Sequence, residues 1–223
     1  MLLIKPSFTI DPDMRSGDNI LHRLRLKANT CYKPEKASPK SDLEFMHDLV
    51  HVKKHTSVLR HEQASMKLVC SRAVSHQIVR HGLAHFLQES QRYCNYSKKG
   101  GGHVVFIIPF YLHDKINEGV VTARTGLDLG DKCAYLWLDA MLSAEHTYHA
   151  MTKEGYKPER ARGVLPNDTK TEVCITANLE EWRHIFRQRS DSHADESMQF
   201  LMRPALAELK NHIPVIFDDL GAD

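Results

Sequence analysis

The sequence predicts an α/β (α+β) fold. Short runs rich in Val, Ile and Phe alternate along the chain with amphipathic stretches of helical period. The content, 42% apolar and 26% charged, is that of an ordinary globular chain, and no internal repeat or linker-like segment divides the 223 residues. A chain of this length buries a sizeable core without disulfide staples, so one domain over residues 1–223 is expected.

The opening LLIKPSFTI reads as an edge strand in which Pro6 limits pairing. A helix is expected from Asp18 to Asn29, with Ile20, Leu21, Leu24 and Leu26, and a proline- and lysine-rich loop over 31–42. Ser41 or Asp42 caps a second helix ending near Lys54, whose Leu43, Met46, Leu49 and Val50 recur at helical spacing. Residues 64–70 alternate as a strand does, and Ser71 or Ser75 opens a helix that carries Gln77, Arg80 and His81 on one face. A long loop, QESQRYCNYSKKGGG, leads to the strand HVVFIIPFYL, and its three glycines read as a turn because no helix start follows them. The stripe Ala134, Trp137, Leu138, Met141 and Tyr148 marks a core helix over 132–154. A short helix near 159–163 and a strand over 172–177 come next. Asn178 with Glu181 resembles a capping box; Trp182, Ile185 and Phe186 form the buried stripe, which Arg189 continues. Ser192 with Asp195 begins the last helix, stopped by Pro214.

Composition excludes several classes. No apolar run approaches the ~20 residues of a membrane span, and the amino terminus lacks the cationic start and cleavage site of a secretory signal. A cytoplasmic protein without a membrane partner is expected. A net charge of +2 is too small for a binder of nucleic-acid polymers, so any anion is held locally. Five widely spaced cysteines without a C-x-x-C pair read as reduced thiols, mostly core filler.

Fifteen histidines put metal chemistry in question. His47, His51 and His55 fall at i, i+4 and i+8, yet no H-E-x-x-H pattern accompanies them, and no metal is assigned. The segment RHGLAHFLQESQRY at 80–93 joins two arginines to Ser90, the residue types of a phosphate cradle and equally of a solvated charged turn. On those residues alone the turn is the stronger reading. Arg189 shifts the balance, because an arginine that continues an apolar stripe requires an anionic partner, and Arg162 before VLP joins it.

The run SHQIVRHGLAHFLQESQRYCNYSK resembles the signature region of the flavin-dependent thymidylate synthases, Arg-His-Arg, seven residues, then Ser. Here Arg80, His81 and Gly82 precede seven residues and Ser90, with the second arginine lost. NTCYK at 29–33, HTSVLRH at 55–61, ARGVLP at 161–166, NLEEWRHIFRQRSDSHA at 178–194 and IPVIFDDL at 213–220 are similar to family blocks in family order.

The resemblance implies a single domain with a central mixed sheet flanked by helices, assembled as a homotetramer. It implies FAD as cofactor, NADPH and methylenetetrahydrofolate as co-substrates, and dUMP methylated at C5. By position, His55, Ser57, Arg80, His81, Gly82, Leu83, His184 and His193 would hold the flavin. Gln77, Gln88, Glu89, Ser90, Arg92, Arg162 and Arg189 would hold dUMP, with Arg189 polarising the uracil and no cysteine nucleophile. Gly82 in place of arginine, His85 in place of serine and Arg60 in place of glutamate depart from the pattern, the first and third offering mutual charge compensation. A related enzyme leaving a hydroxymethyl group at C5, and a silent nucleotide-binding protein, are the alternatives.

Overall fold

A computed structural model describes residues 1–11, 16–35, 39–98, 100–124 and 128–221. Residues 36–38 of the expected 31–42 loop and Lys99 of the expected 88–102 loop lie outside the described residues. Among the described residues seven strands form two sheets, a three-stranded one in the order β5-β1-β6 and a four-stranded one in the order β2-β3-β7-β4. The chain divides into two compact units, passing between them within β2, β3, β4 and β7 and in the turn at residues 80–81.

The expected first strand is two. β1 (Leu2–Ile4) and β2 (Ser7–Ile10) belong to different sheets, broken at Pro6, whose missing N–H ends the ladder. β1 is central rather than at an edge, parallel to β5 (Val105–Ile107) and antiparallel to β6 (Gly119–Val120). The expected 103–112 strand shortens to β5 because Pro109 ends it and Phe110–Leu112 turns as a 3-10 helix. Gly101 and Gly102, at φ 73° and 80°, make the expected turn.

In the first unit (residues 1–7, 68–80 and 87–173) α4 (Lys132–Lys153) supplies the core. Asp131 caps it, accepting from the Cys133 amide at 2.7 Å. Its buried Ala134, Leu138, Met141 and Tyr148 pack with Leu3, Phe106 and Ile108. α3 (Arg72–Ile78), capped by Ser71, and α5 (Pro158–Ala161) complete the unit's helices.

The second unit (residues 8–67, 81–86 and 174–223) contains α1 (Gly17–Tyr32), α2 (Asp42–His47), α6 (Leu179–Arg189) and α7 (Glu196–His212). Ser41 and Glu44 form a full capping box at α2, which continues as a π-helical turn over Asp48–Val52. His55 therefore lies beyond the helix that bears His47 and His51, and the three imidazoles share no face. Gly17 opens α1 so close to α7 that a Cβ there would stand 1.9 Å from the His212 carbonyl oxygen. Trp182, fully buried, stacks on Phe186 at 5.5 Å and donates its indole N–H to the Ala64 carbonyl at 3.0 Å. Truncation of such a side chain costs about 3–5 kcal/mol.

Two further expectations need correction. Of five cysteines only Cys70 is core; Cys31, Cys133 and Cys174 are exposed and Cys94 half-buried. α3 stops at Ile78, so Arg80 and His81 are not on a helix. The chain must turn after Val79, because His85–Gln88 pairs as β4 beside β7 (Lys170–Asn178) rather than continuing a helix or loop. The β-branched pair at 78–79 and Gly82 make that exit inexpensive.

Candidate functional site

In the second unit the turn after α3 presents His81 to the last turn of α6. His81 is 4% exposed, and the Ala84 amide donates to its carbonyl at 3.1 Å, fixing the turn. Arg189 donates Nε–H to His81 Nε2 at 3.0 Å. An imidazole nitrogen that accepts carries no proton, so the neutral ring bears its hydrogen on Nδ1. Burial, the Arg189 cation and His184 push the His81 pKa down to about 4, which keeps the ring neutral. His184 meets it edge-on at 5.6 Å between centroids. Arg189 is half-buried, and desolvation lowers its own pKa.

Glu181 is the residue sequence reasoning missed. Asn178 Oδ1 accepts from the Glu181 amide at 2.8 Å as a cap does, while the Glu181 carboxylate, 6% exposed, stands 3.7 Å from His81 Nδ1. The cap accounts for an acid at this helix start, so nothing in the sequence singles its side chain out. His81, Glu181 and His184 are the one group of metal-ligand type among the described residues. The proton on His81 Nδ1 and the guanidinium on Nε2 argue against a cation there.

A cavity of about 480 Å³ opens beside this cluster, lined among others by Thr56, Arg60, Leu83, Glu180, His184 and Arg187. Glu180 accepts from the Arg60 guanidinium and from the Thr56 hydroxyl. Although burial raises it, these bonds hold the Glu180 carboxyl below its ordinary value. The charge of Arg60 is thus answered within this wall by Glu180. Gly82 itself faces open space: a Cβ there meets nothing within 4 Å. His55 and Ser57, both exposed, flank Thr56 at the start of the 3-10 helix Thr56–His61. His193 does not join the cluster in any described contact; it is exposed and pairs with Asp191 at 2.9 Å.

In the first unit the residues around β4 form their own network. Gln88 Nε2 donates to Ser75 Oγ at 2.8 Å and to Thr171 Oγ1 at 3.3 Å. Glu89 accepts from Lys170 Nζ at 2.9 Å and from the Tyr96 hydroxyl at 3.2 Å, and its amide donates to the Glu172 carbonyl at 2.9 Å. This anchors the loop that follows. There Ser90 Oγ accepts from the Arg92 amide at 3.3 Å, and the Ser90 carbonyl accepts from the Tyr93 and Cys94 amides. The Arg92 guanidinium lies over the Tyr93 ring at 5.5 Å. Gln77 is half-buried on α3, while Arg80 and Arg162 are exposed. Of the expected flavin residues only Arg80 falls in this unit, and of the expected nucleotide residues only Arg189 falls in the other.

The family model described as thymidylate synthase complementing protein matches residues 19–215. The chain belongs to this family. Among curated relatives of the family, a flavin-dependent thymidylate synthase from Geobacter sulfurreducens is 32% identical over 204 residues, 88% of this chain and 80% of the relative. One from Corynebacterium aurimucosum is 30% identical over 197 residues, 85% and 75% of the two chains. Solved structures share the fold at lower identity. A UMP/dUMP methylase from Streptomyces cacaoi bound with 5-Br UMP superposes with a TM-score of 0.71 at 17% identity, covering 98% of this chain and 95% of that one. Thymidylate synthase X from Helicobacter pylori with FAD and dUMP gives 0.64 at 15%, covering 96% and 99%.

Proposed function

We propose that this chain is a flavin-dependent thymidylate synthase that methylates dUMP at C5 to dTMP. In that reaction the methylene carbon and its two hydrogens come from methylenetetrahydrofolate, a third hydrogen arrives as hydride, and C5 loses its proton, leaving tetrahydrofolate. FAD, when bound and reduced by NADPH, supplies the hydride.

The observation that carries this reading is the Arg189–His81 pair, which joins the Arg-His-Gly motif to the arginine of α6 in a half-buried setting. A guanidinium withdrawn from bulk water attracts negative charge developing on a uracil ring more strongly than a solvated one. Arg92 and Arg162, both exposed, offer forks suited to the dUMP phosphate, with Gln77 and Ser90 as polar partners and Gln88 and Glu89 setting the loop. The cavity fits a flavin nucleotide in its chemistry. Exposed Leu83 offers an apolar surface, Arg187 a cation at the rim, and Gly82 leaves room. His55, Ser57, Arg80, His184 and His193 are the further residues this reading assigns to the flavin.

The same reading takes residues 1–223 as a single domain, since four of the five crossings between its units fall inside strands, and places it in the cytoplasm as a homotetramer. No described helix is long and apolar enough to cross a membrane. Light scattering should then report a mass near four times 25.5 kDa.

The deciding experiment incubates the protein with dUMP, FAD, NADPH and methylenetetrahydrofolate and identifies the nucleotide product by mass. The dTMP mass is expected. A hydroxymethyl product assigns the C5-hydroxymethylating alternative, and the absence of both product and bound flavin assigns the silent binder.

A further inference from the structure

We infer that Glu181 is a positioning residue for Arg189, acting through His81: its buried carboxylate faces the imidazole edge that must carry the proton when the opposite edge accepts from the arginine. The inference rests on the reading of Arg189 as the group that polarises dUMP.

Glu181 and Arg189 are eight residues apart on α6, about two turns and about 12 Å of helix. His81, 108 residues earlier in the chain, stands between them. Its Nε2 accepts from Arg189 Nε at 3.0 Å, and its Nδ1 lies 3.7 Å from Glu181 Oε1. The other neutral tautomer would set Nε2–H against the arginine N–H, donor against donor, and turn the Nδ1 lone pair toward a carboxylate. Both neighbours therefore select the same tautomer, and the ring cannot flip without losing both. His184, a further titratable group facing His81, meets it edge-on at 5.6 Å between centroids.

Each member is itself held. Asn178 fixes the start of α6 and with it Glu181, and the turn closed by the Ala84 amide fixes His81. Arg189 thereby gains a defined direction for Nε and a negative charge at one remove.

The test uses ¹⁵N-histidine-labelled full-length protein at pH 7.5, long-range ¹H–¹⁵N spectra of His81, and steady-state kinetics with dUMP. Wild type should show His81 as the Nδ1–H tautomer. Glu181→Met should give a mixture of tautomers and a kcat about tenfold lower with flavin absorbance retained, because the negative charge that favours Nδ1–H is gone. Glu181→Gln, which keeps an oxygen facing Nδ1, should restore the tautomer and most of kcat. An unchanged tautomer in Glu181→Met, or Nε2–H in wild type, overturns the inference, as does stoichiometric Zn²⁺ binding that abolishes the Nδ1–H signal. If the tautomer responds as expected while even wild type leaves dUMP unconverted, the proposed reaction fails and the Glu181–His81 relay stands.

Discussion

Arg60 donates Nε–H to one oxygen of the Glu180 carboxylate, while the Thr56 hydroxyl donates to the other at 2.7 Å. A cation at residue 60 is therefore matched within the same cavity wall. Arg60→Glu sets two carboxylates together, and the double variant Arg60→Glu, Glu180→Arg restores opposite charges. Since Arg60 is 66% exposed, the single variant should lose only about 0.5–1 kcal/mol in urea unfolding, and the double variant should recover most of it. Equal stability of single and double variants would show that the pair contributes nothing.

Gly82 sits where the family motif has arginine, with open space around it and a backbone outside the left-handed region. Gly82→Arg should fold normally and tighten FAD by about one to two powers of ten, the worth of one charged hydrogen bond to phosphate. Fluorescence titration of FAD reads this directly, and an unchanged or weaker Kd would refute it.

The depressed pKa of His81 has a sign that acid denaturation reads. Burial, Arg189 and His184 hold the folded ring near 4, below the ordinary value of 6.5. Between those values the unfolded chain binds a proton that the folded one refuses, so this contribution is complete above pH 6.5 and lost as pH falls through 4. It amounts to at most on the order of 3 kcal/mol. The stability difference between wild type and His81→Asn should therefore change across pH 7.5 to 4 and level off below; a constant difference would mean that the ring titrates normally.

Arg189→Lys keeps the charge without the planar fork and loses the Nε–H that His81 accepts. Product from dUMP should fall by about two powers of ten or more, with flavin absorbance kept as the folding control. No single Cys→Ala change should abolish turnover: burial pushes Cys70 up to about 12, and the mechanism assigns no thiol as nucleophile. Full activity in Arg189→Lys, or a dead but folded cysteine variant, favours a covalent route.

Helices with an apolar stripe were legible: α4 from its stripe alone, α6 behind Asn178, and α7, which starts after Asp195 and not at the expected Ser192. β4 and β6 were not, because strands of four and two residues owe their conformation to the partner they pair with, which a local pattern does not contain. The same limit applies to the site. Arg189 stood out as a cation on an apolar stripe, but its acceptor His81 lies 108 residues away, and only the folded chain brings the two together. Glu180 read as an ordinary acid in a first turn, where the helix dipole favours it, and Glu181 as the capping-box partner of Asn178, whereas its carboxylate faces His81. Glu44, by contrast, does what its spacing from Ser41 implies.

The place of β3 beside β7 governs when the protein is able to fold. Ser65 Oγ and Thr176 Oγ1 meet at 2.8 Å across strands whose pairing spans 111 residues of chain. A nascent polypeptide halted before residue 170 has β2 for β3 to pair with but not β7, and the ribosome must deliver three-quarters of the protein before that second ladder closes. Until then one edge of β3 is unpaired, and chaperone demand should fall on that interval of synthesis.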